Sequence, residues 1–416
     1  MQNAGDNLLL RATLEQIYRA YPDAEVTLLI NDIRPNSLPQ PSIPSLANWV
    51  RAYQEHGGGW KIAGFLKLPY FIFVLLWTLF SKKMPPRLVS MGLDNAQKAL
   101  LDAYLTCDIV TPVAGNYLYS SGKAGLALKL AVASIAYGAF LGKTVVMMPQ
   151  TLGPFTNRFD ERLMRWLINR VDHALLRDQL SFDFLKTIGA KVAHCHVVPD
   201  LAFGFGKLAT GTGEALLKAY DVALDSAELK IGITLIDWGC LFPRFTGQAA
   251  YETAIEQTIR AIVANHQATV VLFSQVHGPT RCEDDRHTAR RVYERLSDLS
   301  ARVVFVSEAL EPHALKDAYR HMDLFIGTRL HSTIFAMSEF VPTIGLAYQS
   351  KTHGAFALLD LGDWVIDLAE VRFDNLSAMV EQLIAQRDTI QAHLKQQIPE
   401  LQAQHQKVVA ALQEVA

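Results

Sequence analysis

Asp323–Ala347 reads DLFIGTRLHSTIFAMSEFVPTIGLA, and it holds an apolar run, a turn, a helical stretch and a second apolar run in close succession. Asp323–Gly327 and Thr343–Ala347 are short and apolar, as strands buried on both faces are, and Ser332–Glu339 between them is expected to be helical. Strands alternating with helices in this way indicate a parallel sheet with crossover helices.

Upstream the same alternation continues. Strands are expected at Lys230–Leu235, Thr269–Phe273 and Arg302–Val306, with helices at Ala249–Asn265, Asp285–Leu296 and Pro312–Arg320. An earlier set precedes them: strands Glu25–Ile30, Cys107–Pro112, Thr144–Met148, His173–Leu176 and His194–Pro199, with helices Asn7–Ala20, Ala124–Leu141, Asp160–Asn169 and Ser181–Ile188. The stretch Gly204–Gly213, GFGKLATGTG, shifts to glycine and threonine and reads as the join. The expected fold class is therefore α/β, with two successive Rossmann-like doubly wound domains, 1–204 and 230–370. Residues 205–229 link them, and 371–416, rich in Gln, Ala and Leu, form C-terminal helices. Residues 31–106 are longer than an ordinary connection and read as an insertion. The chain opens on Asn3-Ala4-Gly5-Asp6-Asn7 without the strand that normally feeds such a loop, so a strand is expected to precede it.

Composition narrows the function. Of 416 residues, half are hydrophobic and 19% charged, as in a globular protein. Lys plus Arg (39) nearly balances Asp plus Glu (41), so no overall field draws the chain to nucleic acid and any anion site must be a local cluster of cations. Cys107, Cys195, Cys240 and Cys282 lie far apart without CxxC spacing, which suggests neither a zinc site nor a disulfide framework and points to a reducing compartment. His194 and His196 alternate along a strand, but no third ligand accompanies them, so no metal is expected. Leu68–Phe80, LPYFIFVLLWTLF, is the most apolar run. With Lys61 and Lys67 upstream it falls short of the roughly 20 apolar residues of a span. A buried core helix and a helix lying in a membrane interface, anchored by Trp60, Tyr70 and Trp77 with Lys82-Lys83 at its edge, both remain open.

Chemistry is expected beyond the carboxyl ends of strands, where helix N-termini present free N–H groups to anions. Arg329 and His331 occupy one such turn, and Lys351 in Tyr348-Gln349-Ser350-Lys351 occupies the next. Either cation alone reads as an ordinary structural or surface residue; successive strand ends both bringing cations weaken that reading. His277 follows another strand, with Asp284 and Asp285 at the next helix start, where acids also suit the helix dipole. In the first half, Asp178 is placed to cap a helix and so leaves Arg177 facing the interdomain cleft. Gln150, in the strand-end loop Pro149–Phe155, and Asn116 are further cleft candidates.

Taken in order, NAGDN, MPQTLGPF, RDQLS, VPDLAF, QVHGP followed by EDDR, GTRLHS and AYQSK resemble the polysaccharide pyruvyltransferase family over most of the chain outside 31–106. The resemblance implies a fold similar to the two-domain glycosyltransferase B arrangement. It also implies transfer of pyruvate from phosphoenolpyruvate to a sugar or lipid-linked saccharide, usually as a ketal. By motif, Arg177, Arg329, His331 and Lys351 would bind phosphoenolpyruvate, with His331 as the catalytic candidate and Asn116, Gln150, His277, Asp284 and Asp285 as acceptor or cleft residues. Several fixed cations suit a small molecule carrying both carboxylate and phosphate. No cofactor is implied, and the expected location is cytoplasmic or peripheral at the inner membrane face, with 60–85 as the membrane contact. Two other functions remain: a nucleotide-sugar-dependent glycosyltransferase on the same plan, and a non-catalytic scaffold in polysaccharide assembly. The convergent cations argue against the scaffold.

Overall fold

Gly327 ends a strand, and the helix that follows begins only three residues later. A Cβ at Gly327 would lie 2.4 Å from Thr333 Cγ2, so a bare backbone is what lets helix and strand end approach this closely. The computed structural model describes residues 3–31, 38–46, 48, 62–120, 126–205, 211–242, 244–278 and 280–415, with only the backbone described for 62–69 and 71. Its contacts divide it into two compact units. One comprises residues 13–198 and 406–416, the other 2–12 and 199–405.

The first unit contains β1 (Leu28–Ile30), β2 (Ser42–Pro44), β3 (Ile109–Val110), β4 (Gly115–Leu118), β5 (Thr144–Leu152), β6 (His173–Leu176) and β7 (Cys195–Val197). Its main sheet is parallel, in the order β3-β5-β6-β7, with β4 also paired to β5. The expected first strand does not join it: β1 pairs in parallel with β2 in a separate two-stranded sheet. β5 runs to Leu152, so Gln150 lies inside a strand rather than in the expected loop. Leu118, Val132, Val145, Met147, Met164, Leu167 and Leu176 fill the core beneath the sheet.

The second unit holds β8 (Leu229–Thr234), β9 (Ala268–Phe273), β10 (Val303–Phe305), β11 (Leu324–Gly327), β12 (Thr343–Ala347) and β13 (Val365–Asp367), all parallel, in the order β10-β9-β8-β11-β12-β13. Sequence order thus runs one way from β8 and then the other way from β11. That reversal is a topological switch point, where open α/β sheets bind ligands beyond the strand ends. Phe273, Tyr319 and Phe325 pack edge and face at 4.4–4.8 Å in its core.

Three features of the domain layout differ from expectation. Residues 2–12 cluster with the second unit, because Ala4 N–H donates to Gln275 O at 3.2 Å and Asn3 bridges Val276, which satisfies backbone groups at the end of β9. Thr212–Ala219, within the expected linker, is a helix packed on Pro312–Tyr319; buried Asp317 accepts the N–H of Gly211 at 3.1 Å and Gly213 at 2.6 Å. Residues 206–210 of that stretch lie outside the described residues. The C-terminal region forms helices Phe373–Ala385, Arg387–Ala403 and Gln406–Gln413; the last belongs to the first unit, where Tyr21 hydrogen-bonds Leu412 O.

The apolar run lies in helix Ile62–Ser81. Val74 is buried with Leu93, Leu100, Tyr104 and Leu141. Ile72, Phe73, Leu76, Trp77 and Phe80 form an exposed stripe at helical spacing, with Phe80 87% exposed. The helix is thus core on one side and apolar surface on the other. Among the described residues no helix is long and apolar enough to cross a membrane. Trp60 and Lys61 lie outside them.

Candidate active site

The switch point of the second unit is built from hydroxyls. Thr328, fully buried, donates its side chain to Thr234 O at 2.9 Å and meets the Tyr251 hydroxyl at 2.9 Å, while Thr234 and Ser332 share a 2.7 Å hydrogen bond. These bonds fasten the ends of β8 and β11 to the start of helix Leu330–Ser338. Arg329 stands at the N-cap of that helix with extended backbone, and His331 is in its first turn rather than in the preceding loop.

Arg329 is clamped by a carboxylate distant in sequence. Its Nη2 lies 2.7 Å from Asp285 Oδ1, its Nε 3.2 and 3.3 Å from the two carboxylate oxygens, and Nη2 also reaches Glu283 O at 3.3 Å. Asp285, 1% exposed, accepts the N–H of Val276 at 3.0 Å and Gln275 at 3.3 Å as well. Burial disfavours the Arg329 charge, but Asp285 and then Tyr348 outweigh it and hold its pKa above the ordinary value. The buried carboxylate of Asp285 thus anchors the arginine.

Tyr348 follows β12, the neighbour of β11, and against its burial the nearby charges of Lys351 and Arg329 draw its pKa below the ordinary value. Lys351, in the first turn of helix Ser350–Ala357, has its Nζ 5.5 Å from the Tyr348 ring centroid. The other neighbour of Tyr348 is Trp238, at 4.6 Å between ring centroids, itself stacked on Phe242.

His331 is positioned by two residues of its own unit. Its Nε2 lies 3.9 Å from the buried carboxylate of Asp200, which also caps the turn Leu201–Phe203 through Ala202 N–H. Its imidazole abuts the Gly5 backbone so closely that a Cβ there would fall 2.0 Å from Nδ1. The first turn of helix Ala4–Ala20 thus provides one wall of the histidine's slot.

The other second-unit candidates separate into two kinds. Asp284 is paired with Arg286, two residues on, at 2.6 Å. His277 is half-buried, its Nε2 3.3 Å from Ser274 O and its buried Nδ1 without a hydrogen-bond partner among the described residues. Burial lowers its pKa below 6.5. The adjoining Pro279 lies outside the described residues.

In the first unit, Arg177 follows β6 and Asp178 caps helix Gln179–Thr187 through Ser181 N–H at 2.7 Å, as expected. Arg177 Nε donates to Thr151 Oγ1 at 2.9 Å, and Thr151 donates to Asp178 at 2.8 Å. Gln150 is fully buried; its Nε2 donates to Val113 O, and its Oε1 has no hydrogen-bond partner among the described residues. Asn116 lies in β4, with its buried Oδ1 unpartnered among the described residues.

Cys240 and Cys282 form a disulfide, which corrects the expectation of unpaired thiols. They follow β8 and β9, adjacent parallel strands whose ends bring the two cysteines together despite 42 residues of separation. Among the described residues no three His, Cys, Asp or Glu side chains converge as a metal-binding group.

Asp200, Tyr348 and Gly5 were not singled out as site residues. All three lie within the motifs VPDLAF, AYQSK and NAGDN, and for Asp200 and Tyr348 a position just after a strand was a further signal.

Comparison with known proteins agrees with this architecture. Residues 3–350 match the family model described as polysaccharide pyruvyl transferase, and the chain belongs to that family. It is 22% identical over 270 residues to the amylovoran biosynthesis protein AmsJ of Erwinia amylovora, a match spanning 64% of each chain. Among solved structures it is similar to a putative UDP-N-acetylglucosamine 2-epimerase from Listeria monocytogenes, with a TM-score of 0.56, 11% identity and coverage of 99% of this chain and 94% of that one. It is also similar to an α,α-trehalose 6-phosphate synthase from Burkholderia multivorans, with a TM-score of 0.50, 14% identity and coverage of 93% and 89%. The fold is of the glycosyltransferase B type, α/β with parallel sheets and a C-terminal helical region.

Proposed function

We propose that the protein transfers pyruvate from phosphoenolpyruvate to a sugar of a polysaccharide or lipid-linked saccharide, forming a ketal across two hydroxyls. The observation that carries this reading is Arg329, locked by Asp285 at the switch point, with His331 and Lys351 on the same and adjoining strand ends. A guanidinium held in place before the ligand arrives meets a phosphate or carboxylate with little loss of side-chain freedom. Lys351 supplies a second positive charge. His331, oriented by Asp200, hydrogen-bonds the phosphate and passes a proton to it as it leaves. His277 remains as an acceptor contact.

An acceptor on a lipid carrier would be met at a membrane. The exposed stripe Ile72, Phe73, Leu76, Trp77 and Phe80, followed by Lys82 and Lys83, supports peripheral binding at the inner, cytoplasmic face. Loss of vesicle binding in Phe80→Glu, with turnover on a soluble acceptor intact, is the expected outcome there.

The function is tested by incubating the protein with phosphoenolpyruvate and lipid-linked saccharides and following phosphate release. His331→Ala and Lys351→Ala should each reduce release by roughly 100-fold or more with the circular dichroism unchanged. Heat stabilisation by a nucleoside diphosphate, with none by phosphoenolpyruvate, would instead identify a nucleotide-sugar enzyme.

A further inference from the structure

The disulfide Cys240–Cys282 has no part in the roles above, and a chain of 416 residues has core enough not to need such a staple. Its position is specific. Cys282 sits in a turn closed by the N–H groups of Glu283 and Asp284, each donating to Thr280 O at 3.2 Å. The next residue, Glu283, gives its carbonyl to Arg329 Nη2, and Asp285, three residues after Cys282, grips the same guanidinium. Cys240 lies in the short helix Trp238–Leu241, which follows β8 and is anchored on other sides. Asp237 accepts the Cys240 N–H at 3.0 Å and pairs with Arg291 at 3.0 Å, while Gly239 N–H donates to Gln248 at 3.1 Å. The disulfide therefore ties the turn that holds Arg329 to an anchored element on the neighbouring strand end. Cys240 is exposed and Cys282 half-buried, so the bond lies at the surface, open to attack by a thiolate. Exposed disulfides of this kind are the labile ones.

We propose that Cys240–Cys282 is a reversible redox modification site that sets the affinity of the Arg329 site for its anion. Taking phosphoenolpyruvate as that anion rests on the function proposed above. The reductant is a dithiol. One of its thiolates attacks the Cys240 sulfur, the sulfur–sulfur bond breaks, and the electron pair leaves on Cys282, which takes up a proton. The second thiolate then displaces Cys240, which leaves as a thiol, and the reductant closes on its own disulfide. Two electrons and two protons pass from the dithiol to the protein. In the closed state the turn Thr280–Asp284 is held, and the carboxylate of Asp285 meets Arg329 in one orientation. In the open state the turn loses its covalent tie to the end of β8, and part of the ordering of the guanidinium shifts onto the binding step.

The test uses the full chain, oxidised and after treatment with dithiothreitol. Thiol titration in denaturant should count two free cysteines, Cys107 and Cys195, in the oxidised chain and four once the disulfide opens. Phosphoenolpyruvate affinity by calorimetry should fall roughly 2–10-fold on reduction, the effect of one more side chain to be ordered on binding. It should return when oxidised glutathione re-forms the bond. Cys240→Ser and Cys282→Ser should each bind like the reduced chain and ignore dithiothreitol, which separates the disulfide from any other action of the reductant. Hydrogen exchange reads the turn without a ligand: the amides of Gln275 and Val276, which donate to Asp285, should exchange faster on reduction. Unchanged affinity after a verified gain of two thiols overturns the proposal. A chain isolated without reductant that already titrates four thiols overturns it too. If the oxidised chain binds no phosphoenolpyruvate, the donor assignment falls by itself. Amide exchange then decides the redox site: faster exchange on reduction supports it for another anion, and unchanged exchange overturns it.

Discussion

The chain uses one local pattern twice and anchors it in two ways. His173–Leu176 and Leu324–Gly327 are both four-residue buried strands, and each is followed within two residues by an arginine and then a helix. In the first unit Asp178, directly after Arg177, caps the helix and reaches the arginine only through the Thr151 hydroxyl. In the second unit Arg329 itself holds the N-cap position, and a buried carboxylate 44 residues earlier in the chain grips its guanidinium directly. A local carboxylate is used up by the helix it caps, whereas a distant one is free to face the arginine. The second arrangement keeps the guanidinium's charge and orientation fixed in a buried setting, and the first links its arginine to Asp178 through a neutral hydroxyl.

Breaking the direct clamp should have the largest effect. Asp285→Ala leaves Arg329 buried without its carboxylate and should lower stability by about 3–5 kcal/mol in urea unfolding. A loss well under 1 kcal/mol would mean that the clamp is no stronger than the relay. Thr151→Val removes the relay in the first unit and should have a smaller effect, about 1.5–3 kcal/mol, because each lost hydrogen bond joins a neutral hydroxyl to one charged group.

The smallest expected effect is on pH dependence, beside the clamp. The folded-state pKa of His277 is depressed by burial, so between that value and 6.5 the unfolded chain binds more protons than the native one. Stability from this group therefore rises with pH through that window, is complete above 6.5 and is lost in acid. Unfolding free energies for wild type and His277→Gln across this range should converge as pH falls; parallel curves would show that the histidine titrates as if exposed.

The sequence carried the β-α-β alternation plainly, because buried parallel strands must be short apolar runs. β12 is therefore legible to the residue, while Lys230–Leu235 and Leu229–Thr234 differ by one position. β2 and β4 were not legible: SIP and GNYL have no apolar signature, and each pairs only because a neighbouring strand supplies hydrogen bonds. The site was half legible. Arg329, His331 and Lys351 could be read from their strand ends, whereas Asp285 read as a cleft acid because its alternative partner lies 44 residues on.

The Arg-Leu-His turn is where local and tertiary information divide. An apolar strand, a glycine and a helix start in succession determined by themselves that Arg329 and His331 would sit where a parallel sheet opens to ligands, since hydrogen bonding and chain reversal are local demands. Only tertiary structure decided that Asp285 would hold the arginine, that Asp200 and Gly5 would bound the histidine, and that Tyr348 would stand between two cations. Those contacts depend on which strands become neighbours across the sheet, and strand order is set by packing of the whole unit rather than by any one segment.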